Sequence, residues 1–215
     1  MGISERKERE KAQKRELLID AAEKIFFEKG YENATMDEIA EVAEYSKGTL
    51  YLYFTNKEEL YIAIASRSMD IFSDIFKEEL SRCKTGAEKL NAIKLTYLRF
   101  FREHPKHMQA MLYSKRSSAL MQSLHEDEKT LQDLMEKDRA FQKEIASAIQ
   151  ESIDDKSIEN WAEMSEKDIM ALVFGGAILL NGIFENIFDF QDHWEEHINI
   201  PSEDIIAAAY SLLKF

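Results

Sequence analysis

Two prolines and seven glycines are few for 215 residues, and their scarcity removes the punctuation that a chain of short strands needs. No stretch alternates apolar and polar residues with the period of two of a half-buried strand, whereas apolar residues recur at intervals of three and four over long stretches. The single cysteine, Cys83, excludes an intramolecular disulfide and fits a reducing compartment, with an inert thiol expected rather than a redox sensor. The most apolar run, Ile169 to Phe184, is interrupted by Asn181 and falls short of the ~20 residues that cross a bilayer, so a helix buried in protein is expected there. The charged start lacks the apolar segment of a secretory signal, and Met-Gly-Ile-Ser lacks the myristoylation pattern, which leaves a cytoplasmic protein as the expectation.

Enzyme signatures are missing too. The chain has no P-loop, dinucleotide fingerprint or nucleophile elbow, and its histidines, carboxylates and cysteine form no recognisable triad. His193-Trp194-Glu195-Glu196-His197 fits the H-x-x-E-H pattern of some zinc peptidases, but it lies in a polar connection before Pro201, where a solvated segment is the simpler reading. His104-Pro105-Lys106-His107 is equally weak as a metal site, because Pro105 is placed to begin a helix. Neither catalysis, a cofactor nor a bound metal is expected.

What the sequence does contain is a dense set of helix signals between Thr35 and Leu60. Thr35 and Glu38 form a capping box, and Ile39, Ala40, Val42 and Ala43 give the helix after it an apolar side. Ser46 caps a second helix, expected from Lys47 to about Phe54, with Leu50 and Phe54 facing inward and Lys47, Thr49, Tyr51 and Tyr53 on other faces. Asn56 with Glu59 starts another helix at Lys57. A helix, a tight turn and a second helix therefore follow from capping alone.

Glu16 to Leu60 resembles the DNA-binding domain of the tetracycline-repressor-like (TetR) family of one-component transcription regulators. The resemblance rests on an apolar first helix ending in Gly30-Tyr31, on Thr35-x-x-x-Ile39-Ala40, on Ser46-Lys47-Gly48-Thr49-Leu50-Tyr51-x-Tyr53-Phe54 and on Asn56-Lys57-Glu58-Glu59-Leu60. It implies that Thr35, Tyr51 and Lys57 contact phosphates while Lys47, Gly48, Thr49 and Tyr53 lie where bases are read, with Tyr51 and Tyr53 able to exchange roles. One departure stands out. Where the family commonly has glycine then valine at the turn, this chain has Glu44-Tyr45, and a non-glycine residue in a left-handed conformation costs on the order of 1 to 2 kcal/mol. Tyr45 is expected either to pack under the recognition helix or to reach toward the DNA backbone.

A formal net charge of −13 is awkward for a partner of DNA, whose affinity leans on phosphate contacts. The first fifteen residues, however, hold six Lys or Arg against three Glu, so a basic arm precedes the first motif helix; it is either a phosphate contact or a solvated helical extension.

Downstream, the first helix is expected to end at Lys29, with Leu17, Ala21 and Ile25 on one core row. A long helix is expected from Asn56 to about Cys83 with Lys84-Thr85-Gly86 as its stop. Others are expected over Thr85 to Glu103, after Pro105, from roughly Asp127 to Ser152, and from Glu203 to about Leu213. Phe72, Phe76, Tyr97, Phe100, Phe101, Met108, Met111, Phe141 and Phe174 supply aromatic and thioether surface, mostly core; an effector pocket among them would take an apolar or aromatic molecule, its polar end held by His104, Asp138 or Asn181. His104 and Asp138 are either satisfied core polars or such pocket contacts. The apolar helix and the last helix suit a dimer interface through Gly175, Gly176, Leu179, Ile183, Ile206 and Tyr210, as the resemblance also implies.

The expectation is thus an all-α protein with a basic arm and helix-turn-helix domain over 1–60 and a helical effector-binding and dimerisation domain over 61–215. A homodimeric regulator of operator DNA, most simply a repressor released by a small molecule, fits these residues. A helical protein–protein adaptor with weak DNA binding is the alternative.

Overall fold

The computed structural model describes residues 2–116, 129–193, 196–197 and 199–212, which are helical with no strand among them. In chain order the helices are α1 (Ile3–Lys29), α2 (Met36–Val42), α3 (Lys47–Tyr51), α4 (Lys57–Leu80), α5 (Gly86–Glu103), α6 (Pro105–Arg116), α7 (Lys129–Asp154), α8 (Glu166–His193) and α9 (Ser202–Leu212), with a short 3-10 turn at Glu159–Glu163. The all-α expectation is met. Asp127, Trp194, Glu195 and Leu213, which bound or belong to expected segments, lie outside the described residues.

The caps decide most boundaries. Gly30 closes α1 at φ 77°, donating its N–H to the Phe26 carbonyl at 2.9 Å. Thr35 and Glu38 exchange the two bonds of a capping box, 3.3 and 3.2 Å, and Thr85 with Glu88 does the same for α5. Two details differ from expectation. Asn56 accepts the Glu59 N–H at 2.8 Å, but the Glu59 carboxylate turns back to the N–H of Thr55, at 2.8 Å, instead of to Asn56. Gly86 is not a stop but the first residue of α5.

By contacts the chain forms two compact units, Met1–Asp70 with Tyr113–Lys137, and Ile71–Leu112 with Asp138–Phe215. The division at residue 60 was one of function, DNA reading against sensing, and remains a proposal; α4 and α7 each run through both compact units.

In the first unit Leu18, Ala22, Ile25, Phe26, Ile39, Ala40, Leu50, Phe54 and Leu60 are buried. Leu17, expected on the core row of α1, is 51% exposed instead, because the inward face runs through Leu18, Ala22 and Ile25. Arg67 of α4 clamps α1 through Glu16, Asp20 and Glu23 at 2.8, 2.7 and 3.0 Å. The start of α7 is tied to α4 as Lys137 meets Asp70 at 2.7 Å and Asp133 accepts the Ser66 hydroxyl. In the second unit Phe72 is the hub: Tyr97, Phe100 and Phe141 meet it edge-on with centroids at 4.9, 5.4 and 5.1 Å.

α8 overturns one expectation. It extends well beyond Ile169–Phe184, and over Glu166–Phe190 it is long and apolar enough by composition to cross a membrane. Nor is it covered all round within the chain. Leu172, Phe174, Ile178 and Leu179 stay exposed, while Ile169, Val173, Leu180, Phe184 and Ile187 are buried.

Candidate nucleic-acid interface

The turn between α2 and α3 explains how α3 is aimed. Ala43 ends α2, Glu44 comes next at φ 57°, the Tyr45 N–H reaches the Ala40 carbonyl at 3.0 Å and the Glu44 N–H reaches Glu41 at 3.0 Å. That pair of bonds is a Schellman motif, whose left-handed position usually belongs to glycine. Glutamate occupies it here. Tyr45 is half-buried and lines, with Leu17, Asp20, Ala21, Lys24 and Val42, a groove of about 620 Å³ between α1 and the turn.

Ser46 then accepts the Thr49 N–H at 3.1 Å and α3 begins. It is shorter than the expected Lys47-to-Phe54 helix: Tyr53 bonds back to Leu50 at 3.0 Å in a tightened last turn, and regular helix ends at Tyr51. Leu50 and Phe54, both fully buried, anchor it as expected. Lys47, Gly48 and Tyr51 are exposed, and Thr49 and Tyr53 are half-exposed. A Cβ at Gly48 would meet only Ser46 Oγ, at 3.9 Å, so the fold itself does not require glycine there. Leu52, not assigned from the sequence, is 83% exposed just past α3 and adds an apolar group able to meet a thymine methyl. Its signal was an apolar residue off the Leu50–Phe54 face.

The cations of the motif are engaged within the protein. Lys47 pairs with Asp37, and Lys29 pairs with Glu38 at 2.5 Å. That hydrogen bond raises the Lys29 pKa, and together with Thr35 it lowers that of Glu38. Lys57 donates to the carbonyls of Tyr31 and Glu32 at 3.0 and 3.4 Å and sits 4.5 Å from the Tyr31 ring centroid, fastening the α1–α2 loop to α4. Burial, and then the 2.7 Å bond to Glu58, pushes the Tyr31 hydroxyl well above the usual tyrosine range, so it stays protonated. Thr35 spends its hydroxyl on the cap of α2. A helix presenting polar and aromatic groups outward, anchored by two buried side chains and preceded by a capped helix and a tight turn, has the geometry of a major-groove reader.

Residues 18–64 match the model of bacterial regulatory proteins of the tetR family. The helix-turn-helix segment is thus similar to the DNA-binding domain of that family. It is 37% identical over 73 residues to the fatty acid metabolism regulator protein of Bacillus subtilis, a match covering 34% of this chain and 38% of that protein. The matched segment thus spans less than half of that relative. Over the whole fold it is similar to the fatty acid degradation regulator FadR of Bacillus halodurans, with TM-score 0.66, 19% identity and coverage of 93% of this chain and 94% of that one. FadR of Bacillus subtilis, solved in complex with stearoyl-CoA, aligns with TM-score 0.62 at 21% identity, covering 92% and 94%. These relatives are regulators, not enzymes.

Outside the matched domain, the chain brings most of the sequence-nominated pocket residues together. Phe72, Phe76, Tyr97, Phe100, Met108, Met111 and Phe141 are buried in the second unit, and Phe101 and Tyr97 both face Phe184, with centroids at 5.3 and 6.1 Å. Burial, and secondarily the nearby Asp138 charge, pushes the Tyr97 hydroxyl above the usual range. Asp138 accepts from Gln142 at 2.7 Å, and His104 ends α5 with its ring 5.9 Å from Phe100. The Asn181 side-chain oxygen is buried without a hydrogen-bond partner. Phe174 does not join the cluster: it is 40% exposed on the outer face of α8.

Of the residues nominated for dimerisation, Leu179 lies on that outer face with Gly175, where an added Cβ would meet nothing. Ile183 is half-buried, Gly176 and Ile206 are buried inside the unit, and the Tyr210 side chain lies outside the described residues.

Proposed function

We propose that the chain is a homodimeric transcription repressor that binds a palindromic operator through α3 and lets go when its second domain binds a small apolar effector. The observation that carries this reading is the exposure of Lys47, Gly48, Thr49 and Tyr51 on a helix fixed from beneath by Leu50 and Phe54. Lys47, Gly48, Thr49 and Tyr53 read bases, Thr35 and Tyr51 bind phosphates, and Lys57 would reach a phosphate only by leaving the Tyr31 and Glu32 carbonyls.

A dimer supplies the two recognition helices that a palindrome needs, one turn of duplex (~34 Å) apart. The outer face of α8, with Leu172, Phe174, Ile178 and Leu179 around Gly175, is suited to a second copy, an apolar strip too extensive to leave wet. The aromatic cluster around Phe72 suits the apolar part of an effector, and the stearoyl-CoA bound by the Bacillus subtilis neighbour supports an acyl chain as that part. Induction requires the effector to prefer the arrangement that cannot span two half-sites, since equal affinity for both shifts nothing. A cytoplasmic location accords with this reading.

Selection of duplexes from a random pool by the purified protein at ~0.15 M salt tests the DNA function. A palindromic motif is the expected result, and no enrichment would leave the adaptor reading in its place. Fatty acyl-CoAs of graded length, added to the operator complex, test the effector: release that strengthens with chain length is expected, and indifference to all of them would remove this effector class.

A further inference from the structure

Five cations of the first unit are committed to partners, whereas a row of lysines on the N-terminal extension of α1 is not. Lys29, Lys47 and Arg67 are ion-paired, Lys57 donates to the carbonyls of Tyr31, Glu32 and Ala34, and Arg15 donates to Thr130 at 3.1 Å with its guanidinium 5.0 Å from the Phe54 ring. α1, by contrast, begins at Ile3 as one continuous helix, so the basic arm is a rigid rod and not a loose tail. At ~100° per residue Lys7, Lys11 and Lys14 fall within about 60° of one another around that rod. All three are exposed, and no ion pair engages them among the described residues.

The remainder of α1 sets their direction. Lys7, Lys11 and Lys14 continue, turn by turn, into Leu18, Ala22 and Ile25, the row through which α1 is buried against its own domain. The lysines are therefore the same face of the helix, carried past the edge of the core toward the side on which the domain lies. The neighbouring acids are not paired with this row: Glu10 is paired with Arg6 at 2.8 Å, Glu5 accepts the Gly2 N–H at 3.0 Å, and Glu8, three residues before Lys11, makes no ion pair with it among the described residues. Arg9 is on the opposite side of the rod. From Lys7 to Lys14 the row spans about 10 Å, at ~1.5 Å per residue. One DNA strand presents a phosphate every ~3.4 Å along the axis, so about three come within reach.

We propose that the Lys7–Lys11–Lys14 row is the main phosphate-binding surface of this protein, gripping the backbone of duplex DNA outside the base pairs that α3 reads. The partner it fits is a regular array of negative charge, and it gives an acidic protein a local means of holding DNA without a basic recognition helix. The inference rests on the operator-binding function proposed for α3. It moves the electrostatic share of affinity from Lys47 and Lys57 to the extension.

The test is the salt dependence of full-length protein on its selected operator between ~0.05 and ~0.2 M salt. With about 0.9 of slope per phosphate, three contacts and two protomers, the Lys7→Ala/Lys11→Ala/Lys14→Ala protein should lose about five units of slope in log K against log salt and bind more than about tenfold more weakly at the lower salt. A charge-matched protein, Arg9→Ala/Lys143→Ala/Lys167→Ala, should keep nearly the wild-type slope, because none of its changes lies on the row. Equal slopes for wild type and the row variant overturn the proposal while leaving operator reading intact; equal losses in both variants overturn it in favour of diffuse charge. A wild-type protein that selects no operator fails the underlying function first. In that case, row-dependent binding to phosphatidylcholine vesicles containing phosphatidylserine would assign the row to a lipid surface and overturn the DNA proposal as well.

Discussion

The two compact units are stabilised by different physics. The first unit relies on devices at its surface: caps at Thr35 and Ser46, the Arg67 clamp on three acids of α1, and Lys57 on the carbonyls of the α1–α2 loop. The second unit is built around rings, with Phe72 touching three others and Tyr97 and Phe101 meeting Phe184. Polar devices act one at a time, and each contributes about 1 kcal/mol, so such a unit degrades gradually under substitution. A ring cluster shares its interior, so one truncation is felt by every neighbour. Phe72→Ala is the sharpest way to expose the contrast. It should cost about 3 to 5 kcal/mol in denaturant unfolding, against about 1 for Thr35→Ala. Comparable losses would mean that the rings have relaxed around the cavity and that the contrast is not real.

Glycines mark the same division. Gly86 opens α5 where a Cβ would lie 2.1 Å from the backbone nitrogen of Ser152 and 2.4 Å from its Cα, so α5 and α7 approach as closely as they do only because that side chain is missing. The Gly86 N–H also donates to Asp155 at 2.7 Å. Gly86→Ala should destabilise by about 1 to 3 kcal/mol, since rigid backbone and not a flexible side-chain tip must give way. Gly48, at the N-terminus of α3, has open space around it, so Gly48→Ala should leave stability unchanged or raise it by up to about 1 kcal/mol. Its effect should fall on operator binding, lowered by about tenfold where a methyl now meets the duplex. A Gly48→Ala protein that is destabilised but binds normally would reverse the assignment of the two glycines.

Legibility in the sequence divides along the same line. Caps are local, a few residues apart, and α2, α3 and α4 begin where their caps placed them. The inward pair Leu50 and Phe54 was legible for the same reason, at four residues' spacing on a short helix. Long-range facts were not. Nothing near Gly86 announces Ser152, sixty-six residues on, so it read as a stop signal. Lys57 was assigned to phosphate by its side-chain chemistry and its place in the matched motif; the Tyr31 and Glu32 carbonyls to which it also donates belong to a loop closed by tertiary packing, which no local pattern announces. α8 read as a helix buried in protein because composition reports apolarity and not which face has a partner within the chain, and Phe174 was assigned to the effector pocket on the same ground.

Glu44 is the position where local reasoning and structure meet most directly. The left-handed turn expected from family glycine is present at φ 57° with both Schellman bonds formed, so the bonds and the anchoring of Leu50 outweigh the strain of a Cβ. Glu44→Gly removes ~1 to 2 kcal/mol of strain but gives the unfolded chain more freedom, which costs ~0.4 to 1. The balance is a stabilisation of about 0.5 to 1 kcal/mol in chemical denaturation, with operator affinity unchanged because the turn already has its final shape. A loss of stability would show that the glutamate side chain makes a compensating contribution of its own.

The smallest effect concerns the polar lock between α4 and the start of α7. Burial works against the Asp133 carboxylate, but hydrogen bonds from Ser66 and Lys137 more than offset it and hold its pKa below the ordinary aspartate value. Burial likewise opposes the Lys137 charge, and Asp70 and Asp133 more than restore it, raising its pKa. A depressed carboxylate stabilises the fold above its unfolded pKa of ~3.9 and loses that contribution as pH falls through the lower folded value; a raised lysine stabilises below ~10.4 and loses it as pH rises through the higher one. The lock should therefore be constant from about pH 5 to 9 and fade only at the two ends. With Asp133 half exposed to solvent, its share is under about 1 kcal/mol. Asp133→Asn should lower stability slightly across the plateau and converge with wild type as pH falls below the lowered folded pKa of Asp133, as measured by denaturant midpoints. A gap that persists in acid would mean that Asp133 acts through packing, and the first unit would then resemble the second more than its surface devices suggest.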